Sequence, residues 1–270
     1  MTIYKYREIN QRTLELLINR KIYFSPPADL NDPLDCSIDI ESEYQKVVNK
    51  YNRYISEEYD QKAFLLYILN NHHKDSDGNP LKLNVLIGNF IKTLGVFSAS
   101  KNARDALLWS HYGNSHKGIC LGFDESLMPD EDVFMSGDIK YKTAPAYQEI
   151  FEELIDELGT FVQPWNPDSS FPDEKGDEFY TKQLHVLMEG NLLTKSSKWE
   201  YEEEYRLIRN KHGMFSFSPQ ALKEVIFGVR TSEDNKETIR NILCFPEYQH
   251  VEIKNAVNLP GSFDFDIKTE

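Results

Sequence analysis

The chain has 270 residues, a formal net charge of −14, 40% hydrophobic residues and 13% aromatic residues. That length can bury a sizeable core, and that composition belongs to a folded chain rather than a disordered one. The acidic balance argues against a broad nucleic-acid face, which needs clustered Lys and Arg to neutralise phosphates, and no run approaches the roughly 20 apolar residues that span a bilayer.

The opening residues Ile3 to Arg7 read as a strand and lack the apolar core of a signal peptide. Asn10 is placed to cap a helix whose stripe is Thr13, Leu14, Leu17 and Ile18. Ile22-Tyr23-Phe24-Ser25 reads as a second strand, ended by Pro26-Pro27. Asn31-Asp32-Pro33 predicts a turn in which an Asx side chain bonds the backbone just ahead. From Glu41 to about Ile91 the pattern is helical, with Tyr44, Val47, Val48 and Tyr51 on one face and Phe64, Tyr67 and Ile68 on another.

Gly95 to Ser100 predicts a strand, Ala103 to Trp109 a short helix, and Gly118 to Phe123 a buried strand. Ile139-Lys140-Tyr141 is a further candidate strand. A helix is expected over 147–158, a surface excursion over 163–176 and a helix from about Glu178 to Leu193. A strand is expected from Trp199 to Arg209, and another from Leu222 to Gly228. Ser232 caps a helix to about Leu243, and Val251-Glu252-Ile253 is the last expected strand. Strands scattered among unequal helices predict an α+β fold: a single domain over 1–255 with a central mixed or antiparallel sheet and a helical insertion around 41–94. Residues 256–270 are expected to be loosely held. Cys36, Cys120 and Cys244 are widely spaced and in apolar or β-rich settings, which predicts buried, reduced thiols in a cytoplasmic protein away from the membrane.

Two stretches carry chemistry. Trp109-Ser110-His111-Tyr112, continuing through His116 to Gly118, gathers two titratable imidazoles, hydroxyls and a flat stacking surface. The competing reading is that Trp109 and Tyr112 are core residues with satisfied polar tips. His111 and His116 are five apart, so they do not share a helical face as in His-x-x-x-His, and no third ligand is near in sequence; no metal is expected. In the second stretch, read as one strand, alternation puts Glu202, Glu204 and Arg206 on one side. Two carboxylates so placed repel unless a cation is close, and Arg206 supplies one. A salt-bridged edge strand is the plainer alternative. No Walker-type or Rossmann-type glycine loop and no Gly-x-Ser-x-Gly is present.

Tyr4-Lys5-Tyr6-Arg7, Phe24-Ser25-Pro26 through Leu30 to Asp35, Phe97-Ser98, Trp109 to Tyr112, His116-Lys117-Gly118, Trp199 with Glu202-x-Glu204-Tyr205-Arg206, and Lys223 to Gly228 together resemble the bacterial "domain of unknown function 2971" family over nearly the whole chain. That family carries no established activity. Arg7, Ser98-x-Ser100 and Glu202-x-Glu204, in that order, also resemble ADP-ribosyltransferases of the Arg/Ser-x-Ser/Glu-x-Glu kind. This second resemblance implies an ADP-ribosyltransferase-like sheet and NAD as cofactor. Arg7 would hold a cofactor phosphate, Ser98 and Ser100 would shape the nicotinamide pocket, and Glu204 would bond the nicotinamide ribose.

Three readings therefore stand. The first is an NAD-consuming transferase or glycohydrolase, a toxin or phage-defence effector, in which Trp109 or Tyr112 stacks on a ring and His116 and Arg206 flank the cofactor. The second is a hydrolase or nuclease, with His111 or His116 as acid/base and Glu202 and Glu204 orienting water or a metal. The third is a non-enzymatic binding or regulatory module. The two enzymatic readings need widely separated polar segments to meet in one cleft. Substrate, partner and oligomeric state are not specified by these residues.

Overall fold

The computed structural model describes residues 1–37, 42, 46, 73–74, 80–81, 83–128, 132–144, 185–262 and 265–270. Of the helices expected over 44–51, 64–68 and 147–158 only residue 46 is described, and it is helical; the rest of them and the excursion over 163–176 lie outside these residues. In chain order the strands are β1 (Thr2–Arg7), β2 (Lys21–Phe24), β3 (His73–Lys74), β4 (Pro80–Leu81), β5 (Gly95–Ser100), β6 (Ile119–Asp124) and β7 (Val133–Asp138). They continue as β8 (Lys140–Lys142), β9 (Thr194–Ser196), β10 (Glu204–Arg209), β11 (Gly213–Ser216), β12 (Leu222–Phe227), β13 (Glu252–Asn258) and β14 (Phe265–Thr269). The helices are α1 (Gln11–Asn19), α2 (Leu83–Thr93), α3 (Ala106–His111) and α4 (Glu233–Leu243), and residues 185–192 are also helical. None of the described helices is long and apolar enough to cross a membrane.

The chain divides into two compact units, one made of Met1–Pro26, Leu94–Ile139 and Lys198–Glu270, the other of Pro27–Thr93 and Lys140–Ser197. The first unit holds an eight-stranded sheet in the order β14-β13-β12-β6-β1-β5-β10-β7. β12 and β13 are parallel, as the α4 crossover between them allows, and the other neighbours are antiparallel, so the sheet is mixed and the fold is α+β.

Side-chain alternation gives the sheet two unlike faces. On one, Ile3, Phe97, Ala99, Leu121, Phe123, Tyr205, Leu207, Val225 and Phe227 join Leu16 and Leu17 of α1 and Ile239, Ile242 and Leu243 of α4 in a single apolar cluster. Each such aliphatic side chain contributes roughly 1.5–3 kcal/mol when fully buried. The β2–β11 ribbon adds Ile22 and Phe24 to it. Both expected helix caps are present: Asn10 accepts from the Thr13 amide, and Ser232 accepts from the Asn235 amide. The opposite face has a smaller cluster of Tyr6, Ala103, Leu108, Trp109, Cys120, Ile226 and Ala256, and beside it the polar residues described below.

Several expectations shift. Trp199–Arg209 is not one strand: Ser197–Glu202 forms a 3-10 turn, Glu203 takes a left-handed φ of 43°, and the strand begins at Glu204. The short helix starts at Ala106, where Asp105 caps it through the Leu108 amide. Residues 265–269, expected in a loose tail, form β14. Its Phe265-x-Ile267 alternation packs against the smaller cluster, and Glu270 is held by Arg240 at 2.6 Å. Cys36 and Cys120 are buried as expected, whereas Cys244, at the C-cap of α4, is exposed. The second unit contains α2, the antiparallel pair β3–β4 and the parallel pair β8–β9, with Ile87, Ile91, Leu187, Met188, Leu192 and Leu193 buried.

Two glycines fix how the first unit's loops meet the sheet. A Cβ on Gly118 would lie 2.2 Å from the Arg7 carbonyl oxygen, and one on Gly228 would lie 2.3 Å from the His116 carbonyl oxygen. Backbone must move to admit either. Gly118→Ala and Gly228→Ala should each lower the urea midpoint, a loss of about 1–3 kcal/mol for an overpacked site. Gly88→Ala, in α2 with open space around its Cα, should gain about 0.5–1 kcal/mol. Urea titrations followed by circular dichroism read all three.

Candidate functional site

The register of the central strands assembles a polar patch on the sheet face opposite the main core. Ser100 stands across from both Tyr4 and Glu204, and Ser98 stands across from Arg206. Cross-strand partners share a face with Cβ atoms about 4.5–5.5 Å apart. Glu204 and Arg206, two apart on β10, are 4% and 0% exposed and bonded to each other: Arg206 Nε donates to Glu204 Oε1 at 2.7 Å and Nη2 to Oε2 at 3.3 Å. A buried carboxylate and guanidinium are costly to desolvate, and mutual pairing offsets part of that cost.

Glu202 reaches the same neighbourhood by another route. It ends the 3-10 turn, is buried, and accepts a 2.7 Å hydrogen bond from the Tyr112 hydroxyl, 90 positions away in sequence. Burial, then the Glu202 hydrogen bond and the charges of Glu202 and Glu204, hold the Tyr112 phenol protonated well above its ordinary range. Glu203, between the two buried carboxylates, faces solvent and accepts from the Asn102 amide group. Ser100 Oγ accepts from the Asn102 amide N–H and lies near its carbonyl, which also accepts from the Tyr6 hydroxyl at 2.7 Å. Ser98, Ser100, Tyr112, Glu202, Glu204 and Arg206 thus converge, although their segments are far apart in the chain.

The other candidate residues go elsewhere. Arg7 is three residues from Tyr4 on β1 and so points to the opposite face, where its Nε donates to Thr13 Oγ1 of α1 at 3.0 Å. Burial, aided by Arg12, lowers its pKa from the ordinary arginine value. Trp109 is fully buried, donates its indole N–H to the Ala103 carbonyl and stacks edge-on against Tyr6 at 5.1 Å, a core residue with a satisfied polar tip.

His111 is exposed, its ring 6.4 Å from that of Tyr112. His116 pairs with Ser110 Oγ at 3.0 Å and lies on Phe265 at 5.3 Å; burial and then Arg230 lower its pKa from the ordinary imidazole value. Asn114, Ser115 and His116 are all left-handed, a sequence of strained residues clamped by bonds from Ser115 to the Ser110 carbonyl, from His116 to the Trp109 carbonyl and from Arg230 to the His116 carbonyl. Among the described residues no cluster of three or more His, Cys, Asp or Glu could hold a metal.

Sequence reasoning passed over a neighbouring polar group. Glu224, inside the apolar run of β12, is buried on the same face, accepts from the Tyr4 hydroxyl and forms an ion pair with Lys254 of β13, which also reaches Glu252 at 2.9 Å. The available signal was a carboxylate at an inward position of an otherwise apolar strand.

Residues 108–207 match the model of a family described as protein of unknown function (DUF2971). This supports the family resemblance over a stretch that includes Trp109 to Tyr112 and Glu202 to Arg206. No curated protein and no solved structure matches the chain.

The tyrosines make a pH prediction. Burial is the largest cause raising the phenol pKa values of Tyr4, Tyr6 and Tyr112, and it pushes Tyr248 up to about 12. An unfolded tyrosine titrates near 10. Above that pH the unfolded chain loses protons that the folded chain keeps, so the tyrosines' contribution to stability should be constant below about pH 10 and fall as pH rises beyond it. Tyr112→Phe should flatten this decline and cost about 1–2 kcal/mol at pH 7 through the lost Glu202 hydrogen bond. Urea midpoints against pH, with tyrosinate absorbance, measure both.

Proposed function

We propose that the chain is an NAD-consuming enzyme of the ADP-ribosyltransferase or NAD glycohydrolase kind, with Glu204 as the catalytic carboxylate. The observation carrying this reading is the placement of Ser98, Ser100, Glu204 and Arg206 as direct cross-strand partners on one face, with Glu202 and Tyr112 alongside. These residues fit a ribosyl ligand: carboxylates accept from hydroxyls, the serines offer both donors and acceptors, and Arg206 supplies a cation for an anionic group. The phosphate-binding role implied for Arg7 does not fit, because its side chain leaves from the other face; Arg206 is the cation that this face offers in its place.

When bound, NAD supplies an activated bond between nicotinamide and ribose. The chain's own part is then electrostatic. Glu204, oriented by Arg206, stabilises the positive charge that grows on the ribose carbon as that bond lengthens, a preorganised effect whose loss costs about 10²–10³ in rate at comparable sites. Glu202, held by Tyr112, fixes a hydroxyl of the substrate or of the acceptor. Ser98 and Ser100 set the orientation of the ring. Consumption of a cell's NAD is the chemistry through which such a protein would act as a toxin or phage-defence effector.

A second reading is favoured by one observation: Glu204 and Arg206 are almost wholly out of solvent and bonded to each other, as in a purely structural network supporting a non-enzymatic binding module. The hydrolase or nuclease reading draws less support, since His116 is engaged by Ser110 and Phe265 rather than by the carboxylates.

The two main readings separate in one experiment. NAD should raise the melting temperature of the wild-type chain and release nicotinamide. Glu204→Gln, checked for folding by circular dichroism, should lose at least 100-fold of that release, and Ser98→Ala, at a half-buried strand position, should weaken the NAD-induced shift while keeping the fold. No thermal shift and no nicotinamide release from the wild type would leave the structural reading, in which Glu204→Gln only lowers stability.

A further inference from the structure

The turn after α3 carries a serine and a histidine that the polar patch leaves unused. Ser110 Oγ and His116 Nε2 are 3.0 Å apart, and the hydroxyl donates to Nε2 when Nδ1 carries the ring proton. Each partner is set by backbone rather than by chance contact. Ser110 follows Trp109, which is fully buried and tied to the Ala103 carbonyl, so the hydroxyl stands on a rigid support yet is open to solvent. His116 is placed by strain. Asn114, Ser115 and His116 have φ of 50°, 54° and 68°, whereas left-handed residues other than glycine ordinarily occur singly.

The bonds that hold this run show what it achieves. The Ser115 amide donates to the Ser110 carbonyl at 3.2 Å, and the His116 amide donates to the Trp109 carbonyl at 3.1 Å. Both return to α3, at Ser110 and its immediate neighbour, and so fold the imidazole back onto the hydroxyl. The Arg230 amide closes the clamp on the His116 carbonyl at 2.9 Å. Over-determined strain of this kind collects at functional sites.

We infer that Ser110 and His116 are a nucleophile and base that hydrolyse carboxylic esters, with preference for esters that carry a negative charge. A serine within hydrogen-bond reach of an imidazole that is itself held in place is the arrangement such chemistry needs. In a serine–histidine–aspartate triad a carboxylate orients the ring; here the clamped backbone does, with the Phe265 ring 5.3 Å away. Burial, and then the Arg230 charge, favour the uncharged ring, the form that accepts a proton. Ser110 Oγ bonds to the acyl carbon as its proton passes to Nε2. The bond from that carbon to the alcohol oxygen breaks, and His116 returns the proton to the departing alkoxide. Water then bonds to the acyl carbon and gives a proton to His116, the acid leaves, and Ser110 takes the proton back. One ester and one water become one acid and one alcohol.

Lys117 and Arg230 set the preference. Both are exposed and flank His116, one as the next residue and the other through the bond to the His116 carbonyl, and neither forms an ion pair among the described residues. On a chain of net charge −14 they make a local cationic spot, which draws in an anionic ester and steadies the oxyanion formed at the acyl carbon. Glu202 and Glu204 take no part, so this chemistry is independent of the NAD reading.

The full-length protein is treated with a fluorophosphonate, which phosphonylates activated serines with loss of fluoride, and separately with phenyl acetate and p-sulfophenyl acetate. The fluorophosphonate should add one group, located on Ser110 by peptide mass mapping. Each ester rate is divided by its rate without protein, and the sulfonated ester should then be several-fold faster. Ser110→Ala, at an exposed helical position that alanine suits, should end both reactions. His116→Asn, which keeps a residue tolerant of left-handed φ, should slow both by about 100-fold or more. Arg230→Gln should reduce the preference for the sulfonated ester. Circular dichroism and urea midpoints check each variant; if His116→Asn does not fold, Ser110→Ala decides. The inference is overturned by no adduct, by an adduct elsewhere with Ser110 unlabelled, by ester hydrolysis that survives Ser110→Ala, by labelling that folded His116→Asn leaves at the wild-type rate, or by equal relative rates for the two esters.

Discussion

A carboxylate and a guanidinium removed from water on the penultimate strand of a sheet constrain what surrounds them. Glu204 and Arg206 are bonded to each other out of solvent, and that pairing is placed on this face while β10 lies between β5 and β7 in this register. A slip of one residue would turn the pair into the apolar cluster on the opposite face and bring Tyr205 and Leu207 out of it. The pair is therefore a register lock as well as a chemical group. Replacing a buried ion pair by well-packed apolar residues is often neutral or stabilising, so stability alone does not account for its presence at the centre of the polar patch.

Around that lock the sheet sorts its residues by face. The apolar side takes α1, α4 and the β2–β11 ribbon. The other takes α3 and the left-handed loop over residues 114–116. Gly118 and Gly228 bring three backbone segments closer than any side chain would permit, which seats that loop beside β1 and β12. Tyr112 projects from this seated segment, and its hydroxyl arrives within 2.7 Å of a carboxylate from a distant turn. The polar patch is thus built from rigid backbone outward.

Much of this was legible in the sequence, and the failures share a cause. Periodicity located the strands at Gly95, Gly118 and Leu222 and both capped helices, because long apolar alternation and a Ser or Asn before a helix have few competing explanations. It missed the break at Glu203, where one left-handed residue interrupts the alternation; Glu202 and Glu204 still come together, through a tyrosine contact that no local pattern reveals. Arg7 was grouped with Ser98 and Glu204 by motif order, yet face is set by parity within a strand, and three residues from Tyr4 is the wrong parity. Trp109 sat in a polar-looking run but lies in the core, since indole needs only one acceptor and Ala103 provides it. The tail was read as loose because Phe265 and Ile267 are two isolated apolar residues whose partners, in β13, are visible only in three dimensions.

That last strand has a consequence for how the molecule keeps to itself. β14 occupies one margin of the eight-stranded array and satisfies the outward-facing amides and carbonyls of β13, while Asp266 and Lys268 put charge along it and Glu270 is anchored to Arg240. Charged residues on a border strand discourage sideways recruitment of another copy. Stripped of those five residues, β13 would offer an unsatisfied hydrogen-bonding ladder to any extended segment nearby, so the short final strand serves as a seal against self-association as much as an added piece of core.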